Sequence, residues 1–212
     1  MNYVYMRVVA PSFILLPLVI AGVYYYKLTR AMRVLFYYLL VTALISIATT
    51  VLAIKHIRNT PLIHIDTIVE TMFLLRFFDL VFANKRLTKY IRVLLIVFPV
   101  FCCINFIFFQ SIYSFNSYTR AVESMLFISF SMLYWIYRND NTTWYSVPSN
   151  WMVCGLLLYF SSGFFLFVFS NYLASTLSLP GLVFVWNFHA TLILIMYLLF
   201  AIGFVINGKL NR

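Results

Sequence analysis

Seven apolar runs, each long enough to cross a hydrocarbon layer, follow one another along this chain with only short connections between them. They lie at about 8–26, 34–54, 61–82, 91–110, 117–137, 150–172 and 182–206. Inside lipid no water is at hand to bond a bare N–H or C=O, so a spanning segment has to be a helix or a strand of a closed barrel. Runs of roughly 20 residues suit helices, which need about that length to cross ~30 Å of hydrocarbon. The expectation is an all-α membrane protein: a seven-transmembrane-helix bundle, one domain over residues 1–212, with its outer surface in the lipid bilayer.

Composition supports that class. The chain is 64% hydrophobic and 9% charged, whereas soluble domains carry about 25% charged residues. The net charge of +10 does not point to nucleic acid, because the basic residues are scattered at the ends of the runs and form no single face. They set orientation instead. With the N-terminus outside, the inner segments hold Lys27, Arg30, Arg33, Lys85, Arg86, Lys89, Arg92, Arg138, Lys209 and Arg212, and the outer ones only Arg7, Lys55 and Arg58. This predicts N-terminus out and C-terminus cytoplasmic. It also puts the glycosylation sequon Asn141-Thr142-Thr143 on the inside, where it has no use. The stretch Val8 to Tyr26 is too long for a signal peptide and ends in Tyr24-Tyr25-Tyr26-Lys27, as a retained first span would.

The third run, PLIHIDTIVETMFLLRFFDL from Pro61 to Leu80, carries most of the charge inside the runs: His64, Asp66, Glu70, Arg76 and Asp79. Thr60 is placed to cap it and Pro61 suits its first turn. At ~1.5 Å per residue Glu70 lies near mid-membrane, where an acid costs at least ~2.5 kcal/mol and has to face a partner or a wet cavity. Asp66 shares its face four residues earlier; His64 lies off that line. Arg76 and Asp79 are spaced for an intrahelical pair. The fifth run opens with Asn116-Ser117 as a cap and adds Arg120 and Glu123, three apart, and Arg120 is the natural partner for Glu70 or Asp66. The seventh run contributes His189. His64, Asp66, Glu70, Arg120, Glu123 and His189 are thus the candidate ligand-binding residues.

Other polar positions read more plainly. Thr42, Ser46, Thr49 and Thr50 form a stripe in the second run that suits close packing with hydroxyls bonded to their own helix, or alternatively the wall of a wet cavity. Ser161-Ser162-Gly163 is a small patch for close approach of another helix or a ligand. Cys102, Cys103 and Cys154 lie inside runs, with no CxxC or Cys/His spacing, and are expected to be small core residues.

Aligning His64 with His189 sets HIDTIVETMFLLRFF against HATLILIMYLLFAIG, a weak similarity that suits a parallel repeat of three helices, one inverting helix and three more. The stretches HIDTIVE (His64 to Glu70), LLLYFSSGFFLFVFSN and FHATLILIMYLLFAIGF together resemble small bacterial seven-helix inner-membrane proteins without an assigned activity. That resemblance implies a multi-pass protein of the cell inner membrane and no particular chemistry. Microbial rhodopsins and ceramidase-type hydrolases also have seven spans. A retinal Schiff base needs a lysine deep in the last span, and Lys209 lies beyond its end. A zinc hydrolase needs more ligands than His64 and His189 with an acid. No metal and no cofactor is expected.

Three functional readings remain. In the first, the charged residues form an outward-biased pocket that binds or translocates a small solute, an ion or protons. In the second, a signalling or accessory protein holds a cytoplasmic partner, such as a kinase, a nuclease effector or another subunit, on its basic inner loops. The third is a membrane-embedded hydrolase, for which no Ser/His/Asp spacing appears. An aromatic-rich outer surface suits lipid and a subunit interface equally, so a monomer and an oligomer are both open in any of the three.

Overall fold

The computed structural model describes residues 4–82, 84–138 and 143–210. Asn141 and Thr142 of the sequon, and Arg212, lie outside the described residues. Within them every regular element is helical, and each of the seven apolar runs holds a helix. The first run is a rod made of a π-turn (Tyr5–Val9), α1 (Ala10–Ser12) and α2 (Leu15–Val23). Then come α3 (Arg30–Ile54), α4 (Thr60–Val81), α5 (Lys85–Ile104, extended by a π-turn at Asn105–Phe109), α6 (Ser117–Tyr137), α7 (Pro148–Thr176) and α8 (Leu179–Leu210). Four of these, α3, α5 with its π-turn, α7 and α8, are long and apolar enough to cross a membrane.

Local chemistry explains the ends. The Thr29 hydroxyl accepts from Met32 N–H at the start of α3, and Asn84 Oδ1 accepts from Arg86 and Leu87 N–H at the start of α5, each satisfying donors that a helix start leaves bare. After α3 the chain turns through His56 at φ 56°, with Ile57 N–H on the Leu52 carbonyl and His56 N–H on the Ala53 carbonyl. This is the usual left-handed helix stop, with histidine in place of glycine. Thr60 does not cap α4; it is the first helical residue, Asn59 holds the cap position, and the Asn59 amide donates instead to the Thr49 carbonyl. Asn116 precedes α6 without capping it; its side-chain amide donates across to Thr67 and the Ile63 carbonyl of α4.

Packing follows chain order around a closed ring: α2 on α3, α3 on α4, α4 on α6, α6 on α7, α7 on α8, and α8 back on α2, with α5 outside the ring against α4. One part of the interior is packed with apolar side chains. Leu74, Phe77 and Phe78 of α4, Phe127 of α6, Phe160 of α7 and Phe200 of α8 are fully buried. The Phe127 ring lies 5.1 Å from Phe160 and 6.1 Å from Phe78, the offset spacing aromatic rings prefer. Cys102 is buried, but Cys103 is exposed on the outer face of α5 and all three cysteines are free, so the expectation of core cysteines holds for Cys102 and fails for Cys103. The helix there points successive residues about 100° apart, and only one of a vicinal pair can face inward.

Candidate binding site

On the Asn59 side of the phenylalanine core, α4 and α6 bring their charges together. Arg120, on α6, is 7% exposed, and its Nη1 donates to Glu70 Oε2 of α4 and, at 2.8 Å, to Glu123 Oε2 one turn along its own helix. Its Nη2 lies 3.7 Å from Asp66 Oδ2, an ion pair too long for a hydrogen bond. The remaining oxygens of the two glutamates are also held. Tyr38 of α3 donates to Glu70 Oε1 at 2.6 Å, and Thr71 of α4 donates to Glu123 Oε1 at 2.7 Å. Each glutamate thus has a charged partner and a hydroxyl partner, which is what a buried carboxylate requires. The Arg120 guanidinium also sits 5.4 Å from the centre of the Phe167 ring.

Asp66 differs from the two glutamates. Its side chain is 21% exposed, and its Oδ1 is buried without a hydrogen-bond partner among the described residues. It borders a cavity of about 290 Å³ that reaches from Asn59 and Thr49, at the α3–α4 turn, down to Glu70, Arg120, Tyr159 and Tyr197, with walls from α1, α3, α4, α6, α7 and α8. Three more wall residues carry buried atoms without hydrogen-bond partners among the described residues: Thr42 through Oγ1, Arg120 through Nε and His189 through Nδ1. His189, 8% exposed, is packed against Tyr159, Phe167 and Trp186 at ring-centre distances of 5.4, 5.1 and 5.7 Å. Buried polar atoms almost always find partners, and the four without one among the residues around this cavity make it the candidate binding site.

Five of the six residues singled out in the sequence, Asp66, Glu70, Arg120, Glu123 and His189, belong to this cluster or its walls. His64 does not. Its Nε2 donates at 3.1 Å to the Ser114 carbonyl in the α5–α6 connection, with its ring edge-on to Phe106. The histidines aligned by the sequence repeat therefore sit in unlike surroundings. The Ser/Thr stripe of α3 serves both of its expected uses: Thr49 and Thr50 donate to the Ser46 carbonyl of their own helix, while Thr42, Ser46 and Thr49 line the cavity. Sequence reasoning passed over Tyr38, Tyr159 and Tyr197. The signal was their position, two turns or more inside α3, α7 and α8, too deep for the interfacial belt where membrane tyrosines usually gather. Arg76 pairs with Asp79 as expected, and Arg92 joins from α5 at 3.3 Å. Among the described residues no three of His, Cys, Asp and Glu are arranged to hold a metal. Compared with known proteins, the chain matches no family model, no curated protein and no solved structure.

Proposed function

We propose that this is a seven-span membrane protein, N-terminus out and C-terminus cytoplasmic, whose outward-facing cavity binds or translocates a small solute, an ion or protons, positively charged in each case. The observation that carries the reading is charge. Three carboxylates, Asp66, Glu70 and Glu123, surround the single guanidinium of Arg120, a formal excess of two negative charges. Each ion held away from water costs several kcal/mol unless it is compensated, so the cluster favours taking up protons or a cation. Asp66, which lines the cavity and whose Oδ1 has no hydrogen-bond partner among the described residues, is the place to take one.

Closure at one end favours transport or capture from outside over an open channel. The cavity reaches the α3–α4 turn, which the loop charges place outside, while the buried phenylalanines stand between its floor and the other end. Helices up to α4 and from α6 onward would be the two halves of the repeat around inverting α5. The accessory reading also has an observation in its favour. At the opposite end a wide cleft of about 820 Å³ is lined by Arg30 and Arg138 together with Tyr134 and Tyr137, a basic and aromatic face suited to an acidic protein segment.

The test uses protein in lipid nanodiscs, melted across sodium, potassium and tetramethylammonium chlorides at ionic strength held constant with N-methylglucamine chloride, and proteoliposomes carrying a pH dye. The expected result is a melting rise with at least one cation, or proton entry under an imposed gradient, lost in Asp66→Asn and in Glu70→Gln. A wild type showing neither effect would overturn the reading.

A further inference from the structure

A second space lies beside the cavity. An apolar groove of about 290 Å³ lies between the first rod and α3, lined by Val8, Leu15, Ala43, Ile47 and Val51 among others. Pro11, Ile14 and Ser46 border both this groove and the polar cavity. Val8, Leu15, Ile47 and Val51 are exposed, so the groove opens on the surface that faces hydrocarbon. The break in the rod beside it follows from sequence. Pro17 has no N–H to offer the Phe13 carbonyl, which accepts instead from Leu16 N–H at 3.0 Å, while Phe13 and Ile14 N–H reach back only three residues, to Ala10 and Pro11. The helix tightens into a short turn there, as proline inside a helix requires, and Ile14 of this turn is one of the residues bordering both spaces.

We propose that the natural occupant is an amphiphile with an ammonium head and one hydrocarbon tail, entering sideways from the bilayer between the first rod and α3. The inference rests on reading the cavity as a cation site and adds the route and the tail. The head meets the excess carboxylate charge at Asp66 and the aromatic rings of Tyr159, Tyr197 and His189, and ring faces attract cations once water is excluded. The tail meets mostly apolar side chains; of the three hydroxyl-bearing residues there, Ser12 and Thr50 already donate to the carbonyls of Val8 and Ser46, and Ser46 stands at the border with the polar cavity. A solute without a tail would leave that groove unused, and an anionic head would face the wrong charge.

The experiment compares dodecyltrimethylammonium, tetramethylammonium and neutral dodecyl maltoside, each below its micelle concentration, on nanodisc-embedded wild type and on Ala43→Phe, which fills the groove. Ile47→Trp, at an exposed groove position, is the second variant should Ala43→Phe fold poorly. Melting shifts give apparent affinities. The wild type is expected to bind the tailed ammonium at least tenfold more tightly than tetramethylammonium. The groove variants are expected to lose that tenfold gain while keeping the tetramethylammonium response, since the short cation arrives from the aqueous end. An unchanged gain in both variants overturns lateral entry, and a groove-dependent shift with the maltoside overturns the ammonium head. A response to tetramethylammonium without any gain from the tail overturns this inference and leaves the cation site standing, whereas no response to either cation removes both.

Discussion

Replacing Arg120 by methionine tests whether the cluster is held by its one cation. The stem is kept, and the charge shared by Glu70, Glu123 and Asp66 is lost. Breaking a buried ion pair by removing one partner costs about 3–5 kcal/mol, because the partner is left as an uncompensated charge. Here the remaining carboxylates include Glu123, 0% exposed, and Glu70, 4% exposed. The hydroxyls of Tyr38 and Thr71 still donate to them, which keeps the loss toward the lower half of that range. Glu70→Gln removes less, since Arg120 keeps Glu123 at 2.8 Å, and one charged hydrogen bond is worth roughly 1.5–3 kcal/mol. Asp66→Asn removes only a 3.7 Å pair on a side chain 21% exposed, about 0–1 kcal/mol after solvent screening. Since one kcal/mol moves the melting temperature of a chain of this size by about 2–4 °C, Arg120→Met is expected to lower it by roughly 6–15 °C, Glu70→Gln by less and Asp66→Asn hardly at all. Thermal melting in one detergent measures the series. A double variant, Arg120→Met with Glu123→Leu, is expected to be more stable than Arg120→Met alone, because it removes the charge that was stranded. Equal, small losses for Arg120→Met and Asp66→Asn would refute the idea that the guanidinium holds the cluster.

Two further outcomes are expected. A reporter fused after the last residue will be active only if it works in the cytoplasm, and periplasmic activity would reverse the orientation and with it the outward-facing cavity. A Cβ on Gly208 would run into the Tyr24 ring just past the end of α2, whereas one on Gly22 meets nothing within 4 Å. Gly208→Ala is therefore expected to destabilise by about 1–3 kcal/mol and Gly22→Ala to gain up to about 1 kcal/mol from helix propensity, with melting temperature as the readout and the reverse order as the refutation.

The helices were legible because a segment crossing lipid must satisfy its backbone within itself, which makes apolar length a direct report of structure. The run at 117–137 and α6 coincide, and 61–82 differs from α4 by one residue at each end. Two ends moved where polar residues continued a helix: α8 runs on through Asn207 and Lys209, and α7 runs on through Ser175 and Thr176. The pairing of Arg120 with Glu70 and Asp66 was legible too, since a charge in an apolar run needs an opposite one and few exist. Tyr38, Tyr159 and Tyr197 were harder to see, because a tyrosine is cheap both in a lipid belt and in a core and its type alone does not separate the two. The His64 case shows the limit of spacing. Six residues before Glu70 puts it about 120° around the helix, enough to turn it from the cavity, but only the fold could bring the Ser114 carbonyl to it. The lateral groove was equally hidden, although its cause, Pro17, stands in plain view in the sequence. One missing N–H shortens a turn at Phe13 and Ile14, and whether that turn borders a cavity or only lipid depends on which helix packs beside it.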